Sequence, residues 1–357
     1  MLNENNDQLD VRFNLITKGL QEIIGSAQLK QLLADSSQEP VCYWGTAATG
    51  SVHISYIVPM LKIADLVEAG CRVKILVADL HAYLDSMKSS LSQLAARTEY
   101  YIEIIKLILL RLNVDITKVE FVKGTSFQLS KEYTLDVYRA NSMITYSDAR
   151  HAGAEVVKQT ANPIMNSLLY TSLQVLDMHH LNADIFLGGI DQRKINVFGL
   201  ELLPKLGYKK GIYLMNAMIP ALSSTKTSEF TKMSSSEINS KIDFLDSTKI
   251  IKKKVNRSYC FPGDIENNTP LVVIQKLIFP VLNKLNQRFV INRPEKFGGN
   301  LEYFNFESLQ LDFANQVLHP GDLKGALADA IDQIVDPIRI KFQDDKLQNL
   351  LKKAYND

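Results

Sequence analysis

"PVCYWGTAATGSVHISYIVPMLKIADLVEAG", residues 40–70, passes from an apolar run through a Gly/Thr/Ser turn into apolar residues at helical spacing that stop at Gly70. Short apolar runs bounded by small residues read as buried strands, and a glycine after the last periodic residue ends a helix. "CRVKILVADLH", residues 71–81, then reads as a second buried strand. Strand, turn, helix and strand in that order predict a parallel pair with a right-handed crossover.

The same grammar returns downstream. A strand at "ADIFLGGID" (183–191), a helix through "QRKINVFGLELLPKLG" (192–207) and a strand at "KGIYLMNAM" (210–218) form a second unit. Between the two, from about Leu84 to Leu181, the apolar spacing is mainly helical, as in "YYIEIIKLILLRL", with one strand at "KVEFVKG". Two β-α-β halves around a helical insertion predict an α/β, doubly wound parallel sheet of Rossmann-like form. Its ligand crevice is expected at the carboxyl ends of the strands, near the switch point. After Lys241 strand signals thin out, and "FPGD", "KFGGN" and "HPGD" punctuate helical stretches. The expected division is a Rossmann-like domain over 1–240 and a smaller α-helical domain over 241–357.

A chain of 357 residues can build two cores, and 46% hydrophobic with 22% charged residues excludes a disordered protein. The formal net charge of +1 gives no whole-molecule field for polyanions, so nucleic acid would have to meet a local patch. From Lys226 to Arg257 eight basic residues (Lys226, Lys232, Lys241, Lys249, Lys252, Lys253, Lys254, Arg257) face four acidic ones. Such a run is a solvated helix face or a phosphate-binding surface. Cys42, Cys71 and Cys260 are widely spaced and odd in number, which points to buried thiols in a reducing compartment and to no metal site. With a polar start and no apolar run long enough for a membrane span, the chain reads as cytoplasmic.

Three sets of residues carry chemistry. In "GTAATGSVHISY" the small-residue turn leads into a helix start with His53 and Tyr56, where backbone N–H groups attract phosphate and an imidazole can donate to it. "FTKMSSSEIN", 230–239, is a polar loop with Lys232 at its head, a candidate clamp for a departing pyrophosphate. In "LLYTSLQVLD", 168–177, Tyr170, Gln174 and Asp177 fall at i, i+4 and i+7, which keeps the later two within roughly 40° of the first around a helix. Three polar groups on one face of an apolar helix need partners, which a ligand with an ammonium and a hydroxyl would supply.

The first two sets, in this order, resemble the paired signatures of class I aminoacyl-tRNA synthetases. With "YWGTAATG", "ADLHAYLD", "GTSFQLSKEYTLDVYR", "AGAEVVKQ", "GGIDQRKI", "KMSSSE" and "HPGDLK", nearly the whole chain resembles the tyrosyl-tRNA synthetases of the eukaryotic and archaeal branch. The resemblance implies tyrosine activation with ATP and Mg²⁺, transfer to tRNA(Tyr), a homodimer formed through the helical insertion, and no structural metal. It assigns Tyr43 and Asp177 to the substrate hydroxyl, Tyr170, Gln174 and Gln192 to its amino group, and His81 to the pocket side. Gly45, Thr46, His53, Gly189, Asp191 and Lys232 fall to ATP, with Tyr56 and Ser234 beside His53 and Lys232 in catalysis. Phe297 and Asp322 fall to the first anticodon base.

The chain departs from the general class at Ser55 and Tyr56 in the first signature and at Ser235 in the second. "STKTSEFT", 224–231, lengthens the loop before Lys232, and Lys226 is the candidate for the missing positive charge. The ending at Asp357 reads as a two-domain enzyme without an appended module. The competing expectations are a tryptophanyl-tRNA synthetase, which shares fold and signatures, and a catalytically silent relative that binds structured RNA.

Overall fold

The computed structural model describes every residue except 1, 36, 86–89, 158–161, 163, 223–232, 234–240, 267, 356 and 357. Its first part alternates strands and helices: α1 (Leu2–Thr17), β1 (Leu20–Ile24), α2 (Ser26–Ala34), β2 (Val41–Thr46), α3 (Ile57–Glu68), β3 (Arg72–Val77), α4 (Asp79–Leu84), α5 (Leu91–Arg111) and β4 (Val119–Lys123). Four helices follow, α6 (Thr125–Gln128), α7 (Lys131–Asn141), α8 (Tyr146–Ala152) and α9 (Met165–His180), and then β5 (Ile185–Gly189), α10 (Arg193–Lys205) and β6 (Ile212–Asn216). As expected, α3 ends before Gly70, whose φ of 80° suits a residue without Cβ.

The six strands form one sheet in the order β1-β6-β5-β2-β3-β4, parallel except for β1, which runs antiparallel along β6. That edge strand was outside the sequence reading, which began at β2. β2 touches both β3 and β5, so the strand order reverses between β2 and β5, the switch point. β4 pairs in parallel with β3. Helix α5 is therefore the crossover between them rather than part of an insertion from about Leu84, and among the described residues α6–α9 stand between the two halves.

Alternation along the strands divides the core. Cys42, Trp44, Val73, Ile75, Ile185, Leu187, Ile212 and Leu214 face one side, where α3 and α5 pack. Tyr43, Leu76, Phe186 and Tyr213 face the other, against α7, α9 and α10. A strand that is covered on both faces is apolar almost throughout, which is why the central strands were legible.

The remaining chain is mainly helical: α11 (Thr248–Arg257), α12 (Thr269–Val273), α13 (Phe279–Lys284), α14 (Phe306–Ala314), α15 (Pro320–Lys341) and α16 (Asp345–Tyr355), with a two-stranded hairpin of β7 (Phe289–Ile291) and β8 (Leu301–Tyr303). Its apolar core runs on continuously from the α5 side of the sheet. Arg97 on α5 donates from Nε to Ala354 O and from Nη1 to Thr49 O, each at 2.8 Å. Tyr355 donates to Gly50 O at 2.8 Å, and Tyr101 to the same carbonyl at 2.6 Å. The last helix is thus hydrogen-bonded to the turn after β2.

Candidate active site

A cavity of about 330 Å³ opens at the switch point. It collects Tyr43, Gly45 and Thr46 from β2, His53 and Tyr56 from the following turn, His81 from α4, Tyr170, Gln174 and Asp177 from α9, and Gly189, Asp191 and Gln192 from the end of β5. Residues from four separate stretches of sequence meet there because the carboxyl ends of β2 and β5 lie side by side. Lys232, Ser234 and Lys226 lie outside the described residues. Met233, between the first two, lines the cavity and donates its N–H to Ile219 O at 3.0 Å.

Asp177 is almost wholly buried. Its Oδ1 accepts from Gln128 Nε2 at 2.8 Å and from the Tyr133 hydroxyl at 2.7 Å, while His81 Nε2 stands 4.0 Å from Oδ2. Burial raises its carboxyl to about 7, and the two donors hold it from rising further. His81 is pushed down to about 4 by burial and is neutral at physiological pH. The Tyr43 hydroxyl donates to Gln174 O at 3.3 Å. Burial, and then the Asp177 charge, raise that phenol well above its ordinary value, so it stays protonated. Gln174 Nε2 donates to Gln192 Oε1 at 2.8 Å.

Gln128 and Tyr133 were missed as site residues. Both lie in the quoted stretch "GTSFQLSKEYTLDVYR", but they sit on short helices where no period distinguishes a buried polar side chain from a solvated one. The available signal was slight: Phe127 beside Gln128 packs inward, but Leu129 on its other side is exposed.

On the other side of the cavity the Thr46 and Tyr56 hydroxyls are 2.9 Å apart, and His53 Nδ1 is 2.7 Å from Ser55 Oγ. Burial, with the Lys241 charge second, lowers His53 to about 3, so the ring is neutral and has one N–H to offer. The turn is strapped from behind by residues 241–244. His53 bridges Asp243, Ile54 N donates to Ile242 O at 2.9 Å, and Phe244 N donates to Val52 O at 3.3 Å. Lys241 corrects the reading of the charge run as a surface feature: it is buried, with its Nζ 2.7 Å from Ser51 Oγ and 3.0 Å from Asp243 Oδ1. Lys254 is also withdrawn, paired with Asp246 at 2.7 Å. Lys249, Lys252, Lys253 and Arg257 of α11 remain on or near the surface.

Phe297 and Asp322 lie in the helical part and do not line the cavity. Phe297 is exposed in the turn Glu295–Phe297, and Asp322 is in the first turn of α15. Arg293 joins their neighbourhoods by donating to Gly299 O at 3.0 Å and Val317 O at 3.1 Å.

A switch-point cavity with a helix-start histidine on one side and a buried carboxylate on the other is an arrangement for a nucleotide and a small polar ligand. The chain matches, over residues 35–336, the family of tRNA synthetases class I (W and Y), and it belongs to that class. The cytoplasmic tyrosine-tRNA ligase of Gallus gallus is 50% identical over 96% of this chain and 63% of its own length. That of Saccharomyces cerevisiae is 45% identical over 96% of this chain and 87% of its own. Within the class, the chain is a member of the tyrosyl-tRNA synthetase family. It spans less than two thirds of the animal relatives, 63% for Gallus gallus. The tyrosyl-tRNA synthetase of Archaeoglobus fulgidus, solved with L-tyrosine, superposes with a TM-score of 0.83 at 32% identity, covering 93% of this chain and 99% of that one.

Proposed function

We propose that the chain activates L-tyrosine with ATP, giving tyrosyl-adenylate and pyrophosphate, and then transfers the tyrosyl group to the 3′ end of tRNA(Tyr). The observation that carries this reading is the buried Asp177 carboxylate, lining the same cavity as Tyr43. A phenol donates to the one and accepts from the other. Phenylalanine leaves both polar groups unmatched, and indole offers a donor but no acceptor for Tyr43.

In the first step a carboxylate oxygen of the amino acid bonds to the α-phosphorus, and the bond from that phosphorus to the bridging oxygen of pyrophosphate breaks. No protein nucleophile is needed; the chain positions the reactants and stabilises charge. Tyr170, Gln174 and Gln192 take the ammonium. Neutral His53 donates to a phosphate oxygen at the turn opened by Gly45 and Thr46, with Tyr56 holding Thr46. Gly189 and Asp191 face the nucleotide from β5. Lys232 with Ser234 grips the departing pyrophosphate, Lys226 adds charge on the lengthened loop, and Mg²⁺ arrives as the ATP complex.

The two-domain division at about residue 240 assigns activation to the sheet and anticodon reading to the helices. Phe297 stacks on the first anticodon base, Asp322 accepts from it, and α11 supplies phosphate contacts. Exposed Leu135, Tyr138, Met143, Tyr146 and Met165 on and between α7, α8 and α9 support a homodimer through this segment. The relatives' cytoplasmic names and the absence of a membrane-length apolar helix among the described residues support a cytoplasmic setting.

The test is pyrophosphate exchange with tyrosine, tryptophan and phenylalanine separately. Tyrosine-dependent exchange that disappears in Asp177→Ala is expected. Exchange with tryptophan in its place, or with no amino acid at all, overturns the reading.

A further inference from the structure

The stretch Gly124 to Tyr133 makes a support for Asp177 in successive layers. Asp79 accepts from Thr125 N at 2.8 Å and from its hydroxyl at 2.6 Å, which fixes the start of α6. Gly124 leaves the seat for Gln128 open, since a Cβ there would stand 2.5 Å from Gln128 Oε1. Ser130 caps α7 by accepting from Tyr133 N at 3.2 Å. The Tyr133 ring is then held between Phe127, at 5.5 Å, and His180, at 4.6 Å between centroids. Both polar ends of this construction arrive at one atom, Oδ1 of Asp177, while Oδ2 takes no hydrogen bond from the described residues.

We infer that Gln128 and Tyr133 are positioning residues: by saturating Oδ1 they orient the Asp177 carboxylate so that Oδ2 is left as the acceptor for the ligand's hydroxyl, and they thereby set the preference for a phenol over an unsubstituted ring. The inference rests on the tyrosine reading above. Neither residue has to touch the ligand. A carboxylate free to rotate would divide its acceptors between protein and substrate, and its strength as an anchor would fall. The donors Gln128 and Tyr133 also favour the charged form and so oppose the rise that burial imposes. The titratable groups around it are Tyr43 from β2, His81 from α4, Tyr133 from α7 and Tyr170 on α9 itself.

The experiment compares kcat and KM for tyrosine and phenylalanine in pyrophosphate exchange for the wild type, Gln128→Met, Tyr133→Phe and Asp177→Asn, across pH, with melting curves to verify folding. Each of the first two variants is expected to lower the tyrosine-to-phenylalanine ratio of kcat/KM by about 10-fold or more, the scale of a hydrogen bond to a charged group. The loss should appear in KM for tyrosine, with KM for ATP unchanged. Removing a donor to the carboxylate favours its protonated form, so the acid limb of kcat/KM for tyrosine should move to higher pH. An unchanged ratio and pH profile in Gln128→Met and Tyr133→Phe, with the ratio collapsed in Asp177→Asn, overturns the inference and leaves the tyrosine reading standing. A ratio that survives Asp177→Asn overturns both. Should Tyr133→Phe fail to fold, Gln128→Met decides alone.

Discussion

Lys241 Nζ lies 3.0 Å from Asp243 Oδ1, with Lys241 only 2% exposed behind the turn that carries His53. Removing Lys241 leaves the half-buried Asp243 charge without its ion partner, at a cost below the ~3–5 kcal/mol of a fully buried pair, whereas removing both is milder. Lys241→Met is therefore expected to melt well below the double variant Lys241→Met, Asp243→Asn in thermal denaturation. The lost positive charge should also raise His53 from its depressed value, visible in an NMR titration of the ring protons.

Stability against pH should carry two opposed signatures. His53 at about 3 and His81 at about 4 lie below the ordinary 6.5 because burial disfavours their charged form. The unfolded chain binds more protons between those values and 6.5, so their contribution is present above 6.5 and is lost as pH falls toward the folded values. Asp177, raised by burial from 3.8 to about 7, acts in reverse: the folded chain holds the extra proton, and stability falls as pH rises through that window. Asp177→Asn should consequently gain stability relative to the wild type on going from about pH 5 to pH 8. Paired melts at the two pH values measure this directly.

The amides of Gln174 and Gln192 fix each other across the cavity at 2.8 Å. Loss of a hydrogen bond to a charged group is worth about 1.5–3 kcal/mol, or roughly 10- to 100-fold in affinity. Gln192→Ala is expected to raise KM for tyrosine by that factor and to leave KM for ATP unchanged in steady-state exchange. An effect on ATP alone would remove Gln192 from the amino-group site.

Two glycines of the cavity should respond differently to alanine. At Gly189 a Cβ would stand 2.5 Å from Asp191 Oδ1 and 3.0 Å from Met218 Sδ, so Asp191 has to move. At Gly45 nothing comes closer than 3.7 Å, from Leu76. Gly45→Ala should melt like the wild type, and any activity it loses reports on ligand approach. Gly189→Ala should lose ATP affinity through the displaced carboxylate. Melting curves together with KM for ATP separate the two cases.

The parts of the molecule legible in the sequence were those where tertiary packing and local pattern agree. β2, β3, β5 and β6 are central strands and so read as unbroken apolar runs. Tyr170, Gln174 and Asp177 were recognisable as a set because one helix carries all three. β1 was not legible, since "LQEII" is short, partly exposed and paired antiparallel at the sheet edge. Assigning α5 to the insertion had a similar cause: local spacing reports a helix but not which strands it joins. Gln128 and Tyr133 reach Asp177 over 49 and 44 residues, a proximity that no short window contains. Lys241 fell in a charge run read as a surface, solvated or phosphate-binding, and is instead buried against Ser51 and Asp243.

The bond from Tyr355 to Gly50 spans 305 positions of the chain. At roughly 5–20 residues per second of synthesis, the turn after β2, whose Gly50 carbonyl Tyr101 also holds, emerges from the ribosome about a quarter of a minute to a minute before its last partner, Tyr355. During that interval a nascent chain has its strands but lacks one of the two hydroxyls that meet the Gly50 carbonyl. A chain stalled short of position 355 would thus carry this turn braced by Tyr101 and by residues 241–244 but without the tie from the far helix.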